Sequence, residues 1–187
     1  MRIISGKFKG KKILEPRDNK TRPLKDLAKE SIFNILSHSK KIKIDLVNSN
    51  VLDLFSGVGS FGIECLSRGV KKVTFVENYK GVLPILVKNL ENLKTVKNYN
   101  IIAKDINLNL NFCKFDKKFD LIFLDPPFRE KNLVKILQNI NECKILKDNG
   151  VIIIHRYKKE KDIFQNYLSI IEEKNYGISK IIFLSSS

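Results

Sequence analysis

From residue 51 onward, short apolar runs alternate with amphipathic stretches, and this alternation restricts the possible folds more than any other feature. The runs at 51–55, 72–76, 99–103, 119–125 and 150–155 predict strands, and the stretches at 60–68, 80–94 and 131–144 predict helices. Alternation of this kind is typical of right-handed β-α-β units around a mostly parallel sheet. Two further runs, 168–174 and 180–184, flank Asn175-Tyr176-Gly177 and predict a closing antiparallel hairpin. The sequence therefore predicts an α/β fold with a mostly parallel seven-stranded sheet.

The first 49 residues have a different pattern. Residues 2–14, with glycines at 6 and 10, predict a short β-hairpin, and residues 25–37 have the apolar spacing of a helix. A polar loop lies between the two, and residues 38–49 are predicted to be a connector. We expect two units, a basic N-terminal extension at 1–49 and the α/β domain at 50–187.

Charge points to a polyanionic partner. The chain has 187 residues and a formal net charge of +15, and residues 1–50 hold 13 Lys or Arg against five acids. A solvated face usually mixes both signs, so this distribution favours nucleic acid, although abundant Lys, Ile and Asn also fit compositional drift. Residues 1–12 are basic without the apolar segment of a secretory signal, and no apolar run reaches the roughly 20 residues of a membrane span.

The three cysteines favour a reducing compartment. Cys65, Cys113 and Cys143 are odd in number and widely spaced. This pattern predicts neither a disulfide framework nor a zinc site, and it fits a protein of the cytoplasm.

Acidic residues stand at the predicted ends of four strands. They are Asp53, Glu77, Asp105 and Asp125. Ligands of open α/β sheets bind beyond the carboxyl ends of the strands. Ion pairing with lysine accounts for one or two such acids, whereas four together favour a ligand that is cationic or rich in hydroxyl and amine donors.

The loop at 57–62 follows the first strand and matches the pattern GxGxxG. Its usual interpretation is a pyrophosphate site at a helix N-terminus, as in nicotinamide enzymes, but the charge of Asp53 would repel a phosphate. S-adenosylmethionine fits more of the residues, because its positive groups suit Asp53, its ribose diol suits Glu77 and its adenine amine suits Asp105. The candidate cofactor-binding residues are Asp53, Phe55, Ser56, Gly57, Gly59, Glu77, Asn78, Asp105 and Ile106.

The fourth strand ends in Asp125-Pro126-Pro127-Phe128. Prolines cannot donate to a sheet ladder, so pairing stops there and the turn is rigid. Carboxylate and carbonyl acceptors beside an aromatic ring suit a planar base with an exocyclic amine, and an ordinary strand-ending turn is the alternative. All four residues are candidate catalytic residues.

Taken together, these motifs resemble the RsmD family of bacterial 16S rRNA guanine-N2 methyltransferases, which are Rossmann-like. The matching segments are 2–13 (RIISGKFKGKKI), Arg22-Pro23, 29–36 (KESIFNIL), 52–64 (LDLFSGVGSFGIE), 125–128 (DPPF) and Tyr176-Gly177. The resemblance implies S-adenosylmethionine as cofactor and a guanine of 16S rRNA in small-subunit particles as substrate. We expect the protein to be a monomer. Leu24 and Lys25 stand where the family usually has threonines, and Leu27 where it has arginine.

Basic residues near the N-terminus and after the DPPF motif are the candidates for RNA contact. They are Arg2, Lys7, Lys9, Lys11, Lys12, Arg22 and Arg129. Neither His38 nor His155 is expected to have a catalytic role. Two alternatives remain open: N6-methylation of adenine in DNA or RNA, and a non-catalytic RNA-binding protein on a methyltransferase scaffold.

Overall fold

A computed structural model of the protein describes residues 1–16, 24–127 and 130–186, and its centre is a seven-stranded sheet. The strands are β1 Asn50–Leu54, β2 Lys72–Val76, β3 Tyr99–Ile102, β4 Phe119–Leu124, β5 Leu146–Tyr157, β6 Leu168–Tyr176 and β7 Ser179–Ser186. The helices are α1 Asp26–His38, α2 Ser60–Ser67, α3 Leu83–Glu91 and α4 Leu133–Glu142, with a short 3-10 helix at Phe112–Lys114.

The sheet has the order β3-β2-β1-β4-β5-β7-β6. Strands β1 to β5 pair in parallel, and β7 runs antiparallel to both β5 and β6. The predicted α/β class, the mostly parallel seven-stranded sheet and the closing hairpin are therefore confirmed.

The sheet is buried on both faces because its central strands are almost wholly apolar. Side chains alternate between faces along a strand. One face packs against α1, α2 and α3 around residues such as Val51 and Phe123, and the other packs against α4 around Leu52 and Ile122. The parallel connections bring the carboxyl ends of β1 to β5 to one edge of the sheet, which we call the carboxyl edge.

The N-terminal segment (residues 1–16) reverses direction but forms less sheet than predicted. One antiparallel bridge, between Arg2 and Lys12, is present in the described part of this segment. Residues 5–10 are taken up by bends and turns with positive φ at Gly6 and Gly10, which leaves little length for a ladder. Gly6 is also required by packing, because a Cβ there would lie 2.0 Å from the carbonyl oxygen of Ser67 in α2.

Buried charges anchor this segment to α1 and α2. The carboxylate of Glu64, which is fully buried, accepts hydrogen bonds from the amides of Ile4 at 2.7 Å and Ser5 at 2.9 Å. Lys29 is also fully buried, and its Nζ donates to the Arg2 carbonyl at 2.7 Å and lies 3.8 Å from Glu64 Oε2. Burial lowers the pKa of Lys29, and the nearby carboxylates of Glu64 and Asp26 oppose that shift. The segment thus packs directly on the sheet's helices, while its division from residues 50–187 as a separate domain stays a prediction.

The cysteine prediction was wrong for one pair. Cys113 and Cys143 form a disulfide, with Cα atoms 4.7 Å apart. They are separated by 30 residues, but the 3-10 helix lies beside the end of α4, so spacing along the chain did not reveal their proximity. Cys65 is buried and free, and burial raises the pKa of its thiol.

No helix in the described ranges combines the length and the apolar composition needed to cross a membrane.

Candidate active site at the carboxyl edge

Asp53, near the end of β1, is 1% exposed. Its Oδ2 accepts a hydrogen bond from the amide of Gly62 in α2 at 3.0 Å. A Cβ at Gly62 would lie 2.9 Å from that oxygen, so only glycine permits this approach. Burial raises the pKa of Asp53 well above its usual value; the Gly62 hydrogen bond opposes the shift, and the negative charges of Asp125 and Glu77 add to it.

The loop after β1 contains one non-glycine residue with an unfavourable backbone conformation. Phe55 has a φ of 58°, a left-handed conformation that is uncommon for a residue other than glycine. Ser56 stabilises the loop, since its Oγ donates to the Asp53 carbonyl at 2.6 Å and accepts from the Val76 amide at 3.0 Å. The side chain of Ser56 is therefore engaged in joining the ends of β1 and β2.

Glu77, directly after β2, accepts hydrogen bonds from the loop after β1 and from the loop after β2. Its Oε2 accepts from the Gly57 amide at 2.8 Å, and its Oε1 accepts from the amides of Asn78 at 2.9 Å and Tyr79 at 2.8 Å. A carboxylate has about four acceptor positions, so three are occupied by backbone N–H groups. Further acceptor capacity lies mainly on Oε2.

Asp105, beyond β3, contacts Asn78, and both were predicted to bind the same cofactor. Asn78 Nδ2 donates to Asp105 Oδ2 at 2.6 Å, and Asp105 Oδ1 accepts from the amide of Asn107 at 2.8 Å. Asn107 Nδ2 also donates to Glu130 Oε2 at 3.1 Å. Ile106 is buried in the core on the α4 face rather than exposed to the edge.

Asp125 follows β4, and its side chain is 20% exposed. Its amide donates to the Leu54 carbonyl at 3.3 Å, which extends the β1–β4 pairing by one residue. Pro126 is buried and Pro127 is exposed. Phe128 and Arg129 lie outside the described residues, as does Arg22-Pro23, so their predicted roles stay predictions.

A single pocket combines residues from β1, the glycine loop, α2, β4 and the chain just before α1. Its lining residues are Leu24, Asp53, Phe55, Ser56, Gly57, Val58, Ser60, Phe61, Phe123 and Asp125. Asp53 and Asp125 thus face the same space, and Glu77 borders it through Gly57. Leu24, one of the positions that departs from the family pattern, supplies part of the wall.

The turn that carries Lys7, Lys9 and Lys11 lies away from this pocket, whereas Arg2 lies nearer to it, because Lys29 Nζ donates to both the Arg2 carbonyl and the Ser60 hydroxyl. Arg2, Lys7, Lys9, Lys11 and Lys12 are all exposed. Lys7 Nζ lies 3.4 Å from Thr95 Oγ1, and Lys11 Nζ donates to the Asn92 carbonyl at 3.1 Å, so both reach the chain just beyond α3. Because α2 begins at the pocket and ends against Gly6, the turn lies roughly 12 Å from the carboxyl edge, at 1.5 Å per helical residue.

His155, to which the sequence assigned no role, lies against the candidate catalytic acid. Its Nδ1 is 2.8 Å from Asp125 Oδ1, and the histidine is 5% exposed. Pairing of Leu124 with Ile154 in neighbouring parallel strands places the two residues side by side. Sequence alone offered no signal for this contact because it depends on strand order and register.

Metal ligation has no support in the described residues, where no group of three or more His, Cys, Asp or Glu side chains is arranged to hold an ion.

An acidic carboxyl edge with a glycine loop, on a sheet whose seventh strand is antiparallel, defines a Rossmann-like methyltransferase. The chain belongs to the RsmD family, and the family model that matches residues 1–185 is described as conserved hypothetical protein 95. The ribosomal RNA small subunit methyltransferase D of Haemophilus influenzae is 36% identical over 95% of this chain and 90% of its own. The enzyme of the same name from Escherichia coli K12 is 31% identical over 82% of this chain and 73% of its own.

Solved structures agree with this assignment. The Escherichia coli protein yhhF superimposes with a TM-score of 0.82 at 26% identity, covering 100% of this chain and 97% of that one. The Haemophilus influenzae protein HI0767 gives a TM-score of 0.76 at 34% identity, covering 99% of this chain and 97% of that one.

Proposed function

We propose that the protein transfers a methyl group from S-adenosylmethionine to the exocyclic N2 amine of one guanine in 16S rRNA of the small ribosomal subunit. The observation that carries this proposal is Asp125, a partly exposed carboxylate that shares a pocket with the buried Asp53. Membership of the RsmD family supports RNA as the substrate class, since relatives in that family are named for methylation of small-subunit rRNA.

The donor set fits S-adenosylmethionine. Bound at this edge, the cofactor supplies an electrophilic methyl group on a positively charged sulfur. Asp53 and the loop that contains Gly57 and Gly59 would hold its methionine part, Glu77 Oε2 its ribose, and Asp105 with Asn78 its adenine amine. Burial raises the pKa of Asp53, and the negative charges of Asp125 and Glu77 add to the shift, so the site suits a cationic ligand better than a phosphate.

Asp125 and the Pro126 carbonyl would orient the substrate amine. The lone pair of an exocyclic guanine amine is delocalised into the ring, which makes the amine a poor nucleophile. Two hydrogen bonds donated by the amine would aim that lone pair at the methyl group, and positioning of this kind can lower a barrier by several kcal/mol. The methylated nitrogen becomes acidic and loses its proton readily, so no strong base is required. Phe128 would stack on the guanine, worth roughly 1–3 kcal/mol.

The exposed basic residues of the N-terminal segment, with Arg22 and Arg129, would contact RNA phosphates. Because the turn at Lys7, Lys9 and Lys11 lies one length of α2 from the pocket, a bound RNA would have to extend along that helix. A chain of this size relies on a pre-shaped RNA, so we propose an assembled small-subunit particle as substrate and a monomer acting in the cytoplasm.

Methyl transfer from labelled S-adenosylmethionine to small subunits that lack the modification tests this function directly. Nucleoside analysis of the product should identify N2-methylguanosine in 16S rRNA. Detection of N6-methyladenosine would replace guanine by adenine as the substrate base. Absence of both cofactor binding and transfer would leave an RNA-binding protein, and binding of NAD in its place would indicate an oxidoreductase.

A further inference from the structure

Two consecutive residues of β5 contact two described residues that follow β4, Asp125 and Glu130. His155 contacts the side chain of Asp125 through Nδ1, at 2.8 Å from Oδ1. Arg156 is on the opposite face of the strand, and its Nη2 donates to the Glu130 carbonyl at 2.9 Å. Asp125 and Glu130 therefore both contact β5.

The chemistry of the His155 contact restricts how the ring is protonated. An ionised aspartate only accepts hydrogen bonds, so a 2.8 Å contact with its Oδ1 requires a proton on Nδ1. A lone pair on Nδ1 would instead face the lone pairs of the carboxylate. The ring is 5% exposed, so water competes little for either group.

This hydrogen bond selects one orientation of the Asp125 carboxylate. With Oδ1 held by His155, Oδ2 is the oxygen that remains for a ligand in the pocket. A freely rotating carboxylate would present either oxygen at variable distance, and a misplacement of about 1 Å can cost roughly 100-fold in rate.

We infer that His155 is a positioning residue for methyl transfer: it donates Nδ1–H to Asp125 Oδ1, so that Oδ2 accepts the hydrogen bond of the substrate amine. The inference rests on the proposed function for its kinetic consequence, but the protonated Nδ1 is a property of the protein alone.

The kinetic experiment compares two replacements of His155 in the full chain with small subunits as substrate. His155→Phe keeps a ring but removes the donor, whereas His155→Asn places an amide N–H close to the position of Nδ1. We expect His155→Phe to lower kcat by about 10- to 100-fold with little change in KM for S-adenosylmethionine, and His155→Asn to stay within about threefold of the unmodified protein. His38→Phe, at the exposed end of α1, is the matched control and should leave kcat unchanged. Equal kcat for His155→Phe and the unmodified protein, or an equal loss in both His155 variants, would overturn the inference.

A second measurement does not depend on activity or on the folding of a His155 variant. The chain has two histidines, so His38→Asn leaves His155 as the one imidazole in a ¹⁵N–¹H spectrum of histidine-labelled protein. Nδ1 should be protonated, and Asp125→Ala in the same background should shift the ring towards the Nε2–H tautomer. An unprotonated Nδ1, or a tautomer insensitive to Asp125, would refute the inference even if methyl transfer occurs. Absence of methyl transfer with a protonated Nδ1 would instead refute the proposed function.

Discussion

The carboxyl edge and the N-terminal segment both carry charge, but they hold it in different ways. At the carboxyl edge, acidic oxygens are fixed by short hydrogen bonds from backbone amides or from His155, as for Glu77 and Asp125. In the N-terminal segment the fixed atoms are mainly backbone amides that donate to Glu64, while the lysine side chains are exposed. The edge is therefore built to place individual atoms, and the segment is built to present positive charge.

The two regions also differ in whether neighbouring groups of the protein compensate their buried charges. Lys29 lies close to the carboxylates of Glu64 and Asp26, so its charge is compensated within the protein. Asp53 is buried with the negative charges of Asp125 and Glu77 in its surroundings, which supports the cationic ligand proposed above. Breaking a compensated buried pair is destabilising because it leaves an unpaired charge, whereas a carboxylate with a perturbed pKa at a pocket is typical of a functional site.

The largest effect should come from the edge. Asp125→Ala removes the oriented acceptor, and we expect kcat to fall by about 1,000-fold, which corresponds to roughly 4 kcal/mol of barrier. Affinity for S-adenosylmethionine, measured by calorimetry, should stay within about twofold. The matched control is Asp116→Ala, at an exposed acid of a loop outside the pocket. Full turnover in Asp125→Ala would show that this edge does not place the substrate amine.

Sequence was sufficient to locate Asp125 but not to describe its surroundings. The strand and helix alternation placed Asp53, Glu77, Asp105 and Asp125 at one edge because parallel strands end together. The contact with His155 could not be predicted, since it requires β4 and β5 to be neighbours with Leu124 paired to Ile154.

The other discrepancies have the same cause. The disulfide between Cys113 and Cys143 depends on the packing of the 3-10 helix beside α4. The remoteness of the basic turn from the pocket depends on Gly6 packing at the far end of α2. Periodicity predicts which elements form, whereas these contacts depend on how elements that are distant in sequence pack together.

A smaller effect, with a different signature, is expected in the N-terminal segment. Replacement of Lys7, Lys9 and Lys11 by alanine should weaken RNA binding without changing affinity for S-adenosylmethionine. Each lost phosphate contact should reduce the slope of log K against log salt by about 0.7–0.9, so the triple variant should lose about two units of slope. Binding of a small-subunit RNA measured between low and moderate salt checks this value.

The control for that variant removes the same charge from another face. Lys114, Lys135 and Lys144 are exposed around α4 and the 3-10 helix, on the opposite side of the sheet. Their replacement by alanine should leave most of the salt slope in place. Equal losses of slope in both triple variants would mean that net charge alone, rather than the N-terminal segment, determines RNA binding.

The smallest effect should be a gain in stability at the edge, which separates the two regions most clearly. The pKa of Asp53 is raised in the folded protein by burial, so the folded state resists ionisation that the unfolded chain undergoes freely. The stabilising contribution of this group is therefore fully present below its unfolded pKa, near 3.8, and is lost as the pH rises through its folded value.

Asp53→Asn keeps an oxygen for the Gly62 amide without a charge, and at pH 8 it should raise the Tm of the cofactor-free protein by about 2–4 °C, or roughly 1 kcal/mol. The difference in Tm should be smaller at pH 5, and Asp116→Asn should show no such trend. S-adenosylmethionine should stabilise the unmodified protein but not Asp53→Asn, because a ligand raises Tm only through the state that binds it. A variant that is less stable than the unmodified protein at both pH values would mean that the Asp53 carboxylate serves the fold, as Glu64 does, rather than the ligand.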